Sequence, residues 1–198
     1  KGDGEYKELF LDAYDDSVIT GAHVLKALSQ FQLTLVSANA KYDRVQLKED
    51  SFTLQEANGY RLFKQHCNSC HTEPLFSNYS FANNGLPVDT TLYDFGKGVI
   101  TKLPDDSLLF KIPSLRNLSF TYPYMHDGRF GKLNEVLNHY INGIQHSPTL
   151  AKELENGILL SATEKVDIIA FLLTLDDKPF VFNERYSFPK KILNQPKD

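Results

Sequence analysis

The sequence is poor in residues that build several common classes of protein. Among its 198 residues there is no tryptophan, a single methionine (Met125) and only two cysteines, Cys67 and Cys70. Two cysteines so close together cannot supply a disulfide framework. No apolar run reaches roughly 18 residues, so hydropathy excludes a membrane span. The chain starts at Lys1 without an apolar leader, and we expect a processed protein, a fragment or one chain of a split protein.

The charge balance excludes a nucleic-acid-binding protein. The chain has 21 basic and 25 acidic residues and a net charge of −4. A nucleic-acid partner would require a basic excess to neutralise phosphates, and none is present. Hydrophobic residues make up 41% and charged residues 23%, which is typical of a globular protein with a sizeable core.

Helical periodicity is strong at both ends of the sequence and absent from the middle. Residues 73–131 contain five prolines, five glycines and no long periodic segment. Because such a stretch is uncommon in a compact domain, we expect a large apolar cofactor to replace part of the core. The predicted fold is mostly α with long irregular loops, and residues 176–198 are expected to form an extended tail. Helices are predicted over residues 6–14 and 20–36, after the capping box Thr53–Glu56, from Leu133, and after a second capping box, Ser161–Glu164.

The most informative motif is Cys67-Asn68-Ser69-Cys70-His71. This C-x-x-C-H pattern is the attachment site for a c-type haem. Each thiol adds to one vinyl group of the porphyrin, and the adjacent imidazole reaches the iron from one face. Two cysteines and six histidines placed at random would give the motif in roughly three chains per ten thousand. Covalent haem of this kind is attached outside the bacterial cytoplasm, so we expect a periplasmic or cell-surface location.

Two other interpretations of the cysteine pair are weaker. Half of a zinc site would need further ligands at matching spacing, and no other cysteine exists. A thioredoxin-like redox pair would need a βαβ context, which this helical pattern lacks. The sequence therefore predicts one covalent haem c, with His71 as its proximal ligand.

Several segments, taken together, resemble the C-terminal half of the bacterial di-haem cytochrome c peroxidases and of the related MauG enzymes. The resemblance covers essentially the whole chain and is carried by many short runs besides the haem motif. They are Ala27-Leu28, Phe31, Thr34–Ser37, Tyr42–Arg44, Gly59, Leu62-Phe63, Phe81, Asn83–Leu86, Asp94, Gly96, Phe110–Asn117, Thr121–Phe130, Ala170–Leu172 and Thr174-Leu175.

The resemblance implies a cytochrome c-like helical haem domain within a longer fold. Members of the family carry a peroxidatic N-terminal haem with an open face and a six-coordinate C-terminal haem that transfers electrons. This chain has a single C-x-x-C-H motif, so the first haem, its distal acid and the tryptophan often found between the haems are missing. We assign residues 1–50 to the inter-domain or N-terminal part of the family fold, 51–178 to the haem domain and 179–198 to the tail.

The resemblance also implies the sixth ligand of the iron. In the family this ligand lies seventeen residues after the proline of a T-x-P motif, here Pro123, which places Tyr140 at the iron. Classical peroxidases have methionine at that position, whereas MauG-like enzymes have tyrosine. The helical pattern agrees, since Tyr140 shares an apolar face with residues 133, 136, 137 and 141. The alternatives are a core tyrosine at 140 and Met125 as the ligand.

Other candidate residues follow from chemistry and from the same resemblance. Arg116 and Arg129 are candidates to neutralise haem propionates, or else form structural salt bridges. His126 is a candidate hydrogen-bonding or proton-relay residue at the haem edge, or else a loop histidine bonded to a carbonyl. The backbone carbonyls of Thr121 and Pro123 match calcium ligands of the family. The remaining histidines are expected to be solvent-exposed: His23, His66, His139 and His146.

The function implied is that of an electron-transfer haem domain. It would relay electrons, or store an oxidising equivalent, for reduction of hydrogen peroxide at a second haem on a partner domain. A small redox protein would be the electron donor, and this chain alone is expected to be inactive as a peroxidase. Two alternatives stay open at this point: a stand-alone mono-haem electron carrier, and a peroxidase in its own right.

Overall fold

The computed structural model describes residues 3–187, with side chains from residue 4. The chain divides into two compact units, Lys1–Ser37 and Ala38–Asp198. The described part is mostly α, with long irregular connections and one two-stranded sheet, which confirms the predicted fold class. The helices are α1 (Asp3–Tyr14), α2 (Gly21–Thr34), α3 (Lys41–Gln46), α4 (Leu54–His66), α5 (Lys97–Thr101), α6 (Leu133–Asn138), α7 (Ala162–Leu173) and α8 (Lys178–Val181), and the strands are β1 (Phe81–Ala82) and β2 (Phe110–Lys111).

The first unit contains α1 and α2, at the positions where the periodicity predicts helices. The hydroxyl of Thr20 caps α2 by accepting the His23 N–H at 3.1 Å. The rings of Tyr14 and His23 stack with centroids 5.2 Å apart, and the Tyr14 hydroxyl donates to Gln30 at 2.9 Å. No residue of α2 is buried, so its apolar side chains remain exposed.

The second unit is built on the packing of α4 against α7. Both helices begin at the predicted capping boxes: Glu56 accepts the Thr53 N–H at 2.7 Å, and Glu164 accepts the Ser161 N–H at 2.9 Å. The two helices approach so closely that a Cβ atom on Gly59 would overlap the carbonyl oxygen of Asp167. This packing fixes the direction in which the chain leaves α4 toward Cys67.

Aromatic side chains fill the core beside these helices. Phe63, Phe76 and Phe171 are fully buried, and their ring centroids lie 5.1–6.2 Å apart. Burial of each such side chain stabilises the fold by about 1.5–3 kcal/mol. The rest of the core cluster consists of Tyr42, Leu62, Leu137, Ile168, Leu172 and Leu175.

The middle of the chain has the irregular structure that its composition predicts. Between Cys67 and Gly131 it forms α5, the antiparallel pair β1–β2 and two 3₁₀ turns, Pro104–Asp106 and Leu118–Phe120. Where an extended tail is predicted, the described residues instead form α8 and a 3₁₀ turn at Glu184–Tyr186, and residues 188–198 lie outside the described part of the chain. Within residues 3–187, no helix is long and apolar enough to cross a bilayer.

Candidate haem site

The cysteine motif forms a compact turn at the end of α4. Cys67 ends the helix, donating its N–H to the carbonyl of Phe63 at 2.8 Å. The chain then folds back, so that the N–H groups of Cys70 and His71 donate to the carbonyl of Cys67 at 3.2 Å and 2.9 Å. Both sulfur atoms and the imidazole therefore belong to a single turn, anchored by a helix whose inner face, with Leu62 and Phe63, is buried.

The two thiols are partly buried and form no disulfide, and Cys67 packs against the hydrophobic core. Burial, with a smaller contribution from Cys70, raises the pKa of Cys67 to about 12. Redox-active and zinc-binding cysteines need a stabilised thiolate, which this environment does not provide. In the part of the chain that the structure describes, no three His, Cys, Asp or Glu side chains are grouped to hold a metal ion. The surroundings suit thiols that become thioethers.

The imidazole of His71 is held through its Nδ1 atom. Nδ1 lies 3.2 Å from the carbonyl oxygen of Phe76 and 3.2 Å from that of Pro113. Carbonyl oxygens only accept hydrogen bonds, so Nδ1 carries the proton and Nε2 keeps its lone pair. Burial lowers the pKa of His71, with the two carbonyls opposing the change. This tautomer and this anchoring are those that a metal-ligating imidazole requires.

Tyr140 lies in a π-helical turn, His139–Gly143, that continues α6. Such turns are frequent at functional sites. Burial raises the pKa of the Tyr140 hydroxyl, a side-chain hydrogen bond with Asn84 opposes the rise, and the thiols of Cys67 and Cys70 add to it. Ligation of the haem iron by Tyr140 remains a prediction.

Met125 occupies a tight turn rather than a loose loop. Tyr124 and Phe130 bridge the base of this turn, and the Gly128 N–H donates to the carbonyl of Met125 at 3.3 Å. Met125 has a φ of +72°, in the left-handed region that methionine rarely adopts. Its sulfur accepts a hydrogen bond from Asn84 Nδ2 at 3.5 Å. This bond ties the Met125 turn to the segment that follows β1.

His126 follows Met125 and stacks on Phe110 of β2. The ring centroids are 3.7 Å apart and the planes differ by 12°. Burial lowers the pKa of His126, whereas the charges of Asp127 and Asp94 raise it by a smaller amount. The ring is therefore fixed against the sheet, and its role at a haem edge remains a prediction.

Arg116 makes a bidentate ion pair with Asp43 of α3. Its Nη1 and Nη2 atoms lie 2.9 Å and 2.8 Å from the two carboxylate oxygens. Nε and Nη2 also donate to the carbonyl of Pro74 at 3.0 Å and 2.8 Å. Arg116 thus connects α3 to the segment that follows His71.

Arg129 pairs with the nearly buried carboxylate of Asp127. Arg129 Nε donates to Asp127 at 2.7 Å, and Nη2 donates to the same oxygen. Burial raises the pKa of Asp127, but the bonds from Arg129 outweigh this and lower it overall. Arg129 also lines an open groove of about 620 Å³ with Glu135 and His139. Contact of either arginine with a propionate remains a prediction.

The two residues predicted as calcium ligands lie close together on the surface. Thr121 and Pro123 are both exposed, and the Thr121 hydroxyl donates to the carbonyl of Leu118 at 3.2 Å. A calcium ion held by their backbone carbonyls remains a prediction.

Sequence reasoning missed two residues and misplaced one. His139, predicted to be exposed, is 4% exposed and its Nε2 lies 3.0 Å from the carbonyl oxygen of Asn84. Asn84 itself was given no role. Glu73 accepts hydrogen bonds from Tyr42, Tyr60 and Lys64 at 2.7–2.8 Å, which ties the segment after His71 to the core. No periodic signal marks these residues, because each acts through partners distant in sequence.

Comparison with known proteins agrees with this geometry. A family model described as di-haem cytochrome c peroxidase matches residues 1–51. The methylamine utilization protein MauG of Methylorubrum extorquens is 39% identical over 88% of this chain and 50% of its own length. The chain belongs to the di-haem cytochrome c peroxidase and MauG family. The cytochrome c551 peroxidase of Nitrosomonas europaea, another relative, is 31% identical over 88% of this chain and 51% of its own length.

A solved structure of the family shows the same fold. A crystal structure of a MauG-like protein associated with microbial copper homeostasis superposes with a TM-score of 0.74 at 30% identity. The superposition covers 90% of this chain and 64% of that protein. The chain spans about half the length of the curated relatives it matches. The family is one of haem-containing oxidoreductases.

Proposed function

We propose that this chain is the electron-transfer domain of a di-haem peroxidase or MauG-like oxidoreductase and carries one haem c. The observation that carries the proposal is the turn after α4, which presents Cys67, Cys70 and an imidazole whose Nδ1 is fixed by Phe76 and Pro113. The surroundings fit the group, since Cys67 packs against the hydrophobic core and the bonds at Nδ1 of His71 leave Nε2 free of protons.

The residues around the motif would have distinct tasks. Cys67 and Cys70 would hold the porphyrin through two thioether bonds, and His71 would bind the iron through Nε2. The haem would supply one-electron redox chemistry. Tyr140 would close the opposite face with its phenol oxygen, with Met125 as the alternative ligand. A site closed on both faces leaves no position for peroxide and is suited to electron transfer.

In the whole enzyme this domain would serve a second, peroxidatic haem on an N-terminal domain. Hydrogen peroxide would be reduced at that haem, while this domain relays electrons from a small redox protein or stores an oxidising equivalent. Covalent haem attachment implies a periplasmic or cell-surface location. An electron carrier that works alone is the second candidate, favoured by the single C-x-x-C-H motif in this sequence. A second haem motif in the parent gene would discriminate between them.

The direct test is covalent haem attachment in the full chain, produced together with the machinery that matures c-type cytochromes. We expect acid–acetone extraction to leave the haem on the protein and the intact mass to exceed the sequence mass by one haem. The matched control is the double variant Cys67→Ser/Cys70→Ser, which should release any bound haem into the organic layer. A colourless wild-type protein, or haem extracted equally from both proteins, contradicts the proposal.

A further inference from the structure

Two loop segments meet at the imidazole of His71, and each supplies one of the carbonyl oxygens that face Nδ1. Residues 74–77 follow the haem motif and contain Phe76, whereas residues 112–116 follow β2 and contain Pro113. Both carbonyl oxygens lie 3.2 Å from Nδ1. Because Nδ1 carries a single hydrogen, the two acceptors share it, and the strength of both bonds depends on how the two segments are held together.

Two serine hydroxyls join the segments beside these carbonyl groups. The hydroxyl of Ser77 donates to the carbonyl of Ile112 at 2.7 Å, and the hydroxyl of Ser114 donates to the carbonyl of Leu75 at 2.6 Å. Each of these four residues is a direct neighbour in the chain of a residue whose carbonyl faces the imidazole. The two bonds run in opposite directions between the segments and therefore flank both acceptors of the imidazole proton.

Arg116 joins the same two segments through its guanidinium group. Nε and Nη2 donate to the carbonyl of Pro74 at 3.0 Å and 2.8 Å, and the guanidinium carbon lies 5.7 Å from the centroid of the Phe76 ring. The bidentate pair with Asp43 fixes the plane of the group. The Arg116 N–H also donates to the hydroxyl oxygen of Ser114 at 3.2 Å, which connects the two side chains that clamp residues 74–77.

We infer that Ser114 and Arg116 are positioning residues for His71, which set the distance between its Nδ1 atom and the two carbonyl oxygens. The inference rests on the proposed function, because it assumes that Nε2 of His71 binds a haem iron. Hydrogen bonding at Nδ1 makes an imidazole a more basic ligand, and a more basic ligand favours oxidised iron. Both residues would act on the reduction potential through these carbonyl groups.

The test is a redox titration of the haem-loaded full chain. Ser114→Ala removes one hydroxyl at an exposed position, and we expect the reduction potential to rise because the segments separate and the bonds to Nδ1 lengthen. Outer partners of a metal ligand typically change metal affinity by about 10–100-fold. A tenfold weaker preference for ferric over ferrous iron corresponds to a rise of about 59 mV for a one-electron couple.

Two further variants separate the clamp from other effects. Ser114→Thr keeps the hydroxyl and should keep the wild-type potential. Arg116→Lys keeps a positive charge beside Asp43 but loses the planar fork that holds the carbonyl of Pro74, so its potential should also rise.

The matched control is Ser80→Ala, which removes a hydroxyl at another exposed position after the haem motif. The Ser80 hydroxyl donates to Asn78 at 2.7 Å, a bond that does not reach residues 112–116. We expect this variant to keep the wild-type potential. Denaturant unfolding of all variants measures the loss of stability separately from the change in potential.

A wild-type potential in Ser114→Ala or in Arg116→Lys overturns the inference for that residue and leaves the proposed function standing. The same holds if stability falls while the potential is unchanged, since that result describes a purely structural role. An equal rise in Ser80→Ala also overturns the inference. If the wild-type chain attaches no haem, the proposed function fails, and the inference fails with it.

Discussion

At the scale of single residues, the site depends on which atom of each side chain faces the haem. The tautomer of His71 is set by two carbonyl oxygens, and the carboxamide of Asn84 is oriented by the Leu86 N–H. These are backbone groups that hold a side chain in one orientation. The residues that would touch the cofactor are thus fixed before it binds, which lowers the cost of ordering them.

The first prediction concerns the sixth ligand. Burial alone disfavours the phenolate of Tyr140, but the charge of ferric iron reverses that preference. We expect Tyr140→Phe to leave an open or water-filled position, to change the ferric spectrum and to raise the reduction potential, because an anionic oxygen ligand stabilises oxidised iron. Met125→Leu should change the spectrum far less. Redox titration with optical detection measures both variants.

The opposite result would assign the sixth ligand to Met125. If Met125→Leu abolishes six-coordination while Tyr140→Phe leaves the spectrum unchanged, the domain is a conventional His/Met cytochrome. The hydrogen bond from Asn84 to the Met125 sulfur would then be broken when the methionine turns to the iron.

At the scale of elements, the contact of α4 with α7 positions the cysteine motif. Helix α4 runs directly into Cys67, so any displacement of α4 moves the thiols. The capping boxes at both helix starts could be predicted from sequence, since capping depends on residues three positions apart. The close approach at Gly59 could not, because a glycine within a helix gives no sign of the backbone that it meets.

Gly59→Ala tests this contact. Alanine favours a helix over glycine by about 1 kcal/mol, but its Cβ would overlap the carbonyl of Asp167. We expect the clash to dominate and to lower the free energy of unfolding by roughly 1–3 kcal/mol, the cost of overpacking. The matched control is Gly131→Ala, where nothing lies within 4 Å of the new Cβ. Denaturant unfolding followed by circular dichroism compares the two variants, and equal stability would contradict the prediction.

The ionisation of Glu56, at the start of α4, should make the stability of the protein depend on pH. Burial raises the pKa of Glu56, but Lys41 of α3, 2.7 Å away, and the Thr53 cap outweigh it and lower the pKa overall. A lowered folded pKa means that the carboxylate adds stability above its unfolded pKa of about 4.5, and that this stability is lost as the pH falls through the folded value. Glu56→Gln keeps the cap but loses the ion pair.

We therefore expect Glu56→Gln to be less stable than the wild type by up to about 1 kcal/mol at about pH 7. The difference should shrink as the pH falls below about 4.5 and Glu56 becomes protonated. Urea unfolding across this pH range measures it, with Glu155→Gln at an exposed position as the control. If the stability difference between Glu56→Gln and the wild type grows on acidification, the predicted direction of the pH dependence is wrong.

At the scale of the whole molecule, one feature limits what this chain can do alone. It contains one C-x-x-C-H motif and spans about half the length of the family relatives described above. Peroxide reduction takes two electrons and needs an open iron position, whereas the proposed site is closed by Tyr140 and holds one haem.

The purified chain should consequently be a poor peroxidase. With reduced cytochrome as donor, we expect peroxide consumption far slower than that of a two-haem relative assayed alongside. Tyr140→Phe is the informative comparison, because an opened site should react with peroxide faster than the wild type does. Turnover by the wild-type chain as fast as that of the two-haem relative would contradict the electron-transfer assignment.

The sequence by itself determined whatever depends on near neighbours in the chain. The haem motif, the capped helices and the irregular middle all follow from spacings of a few residues. The tertiary structure decided what those elements face: Pro113 reaches Nδ1 of His71 across 42 positions, and the Asn84 carbonyl reaches His139 across 55. Periodicity shows that one face of a helix is apolar, but it does not show which residues pack against that face. His139 was therefore expected in solvent, and only the packing of distant segments placed it in the interior, against the carbonyl oxygen of Asn84.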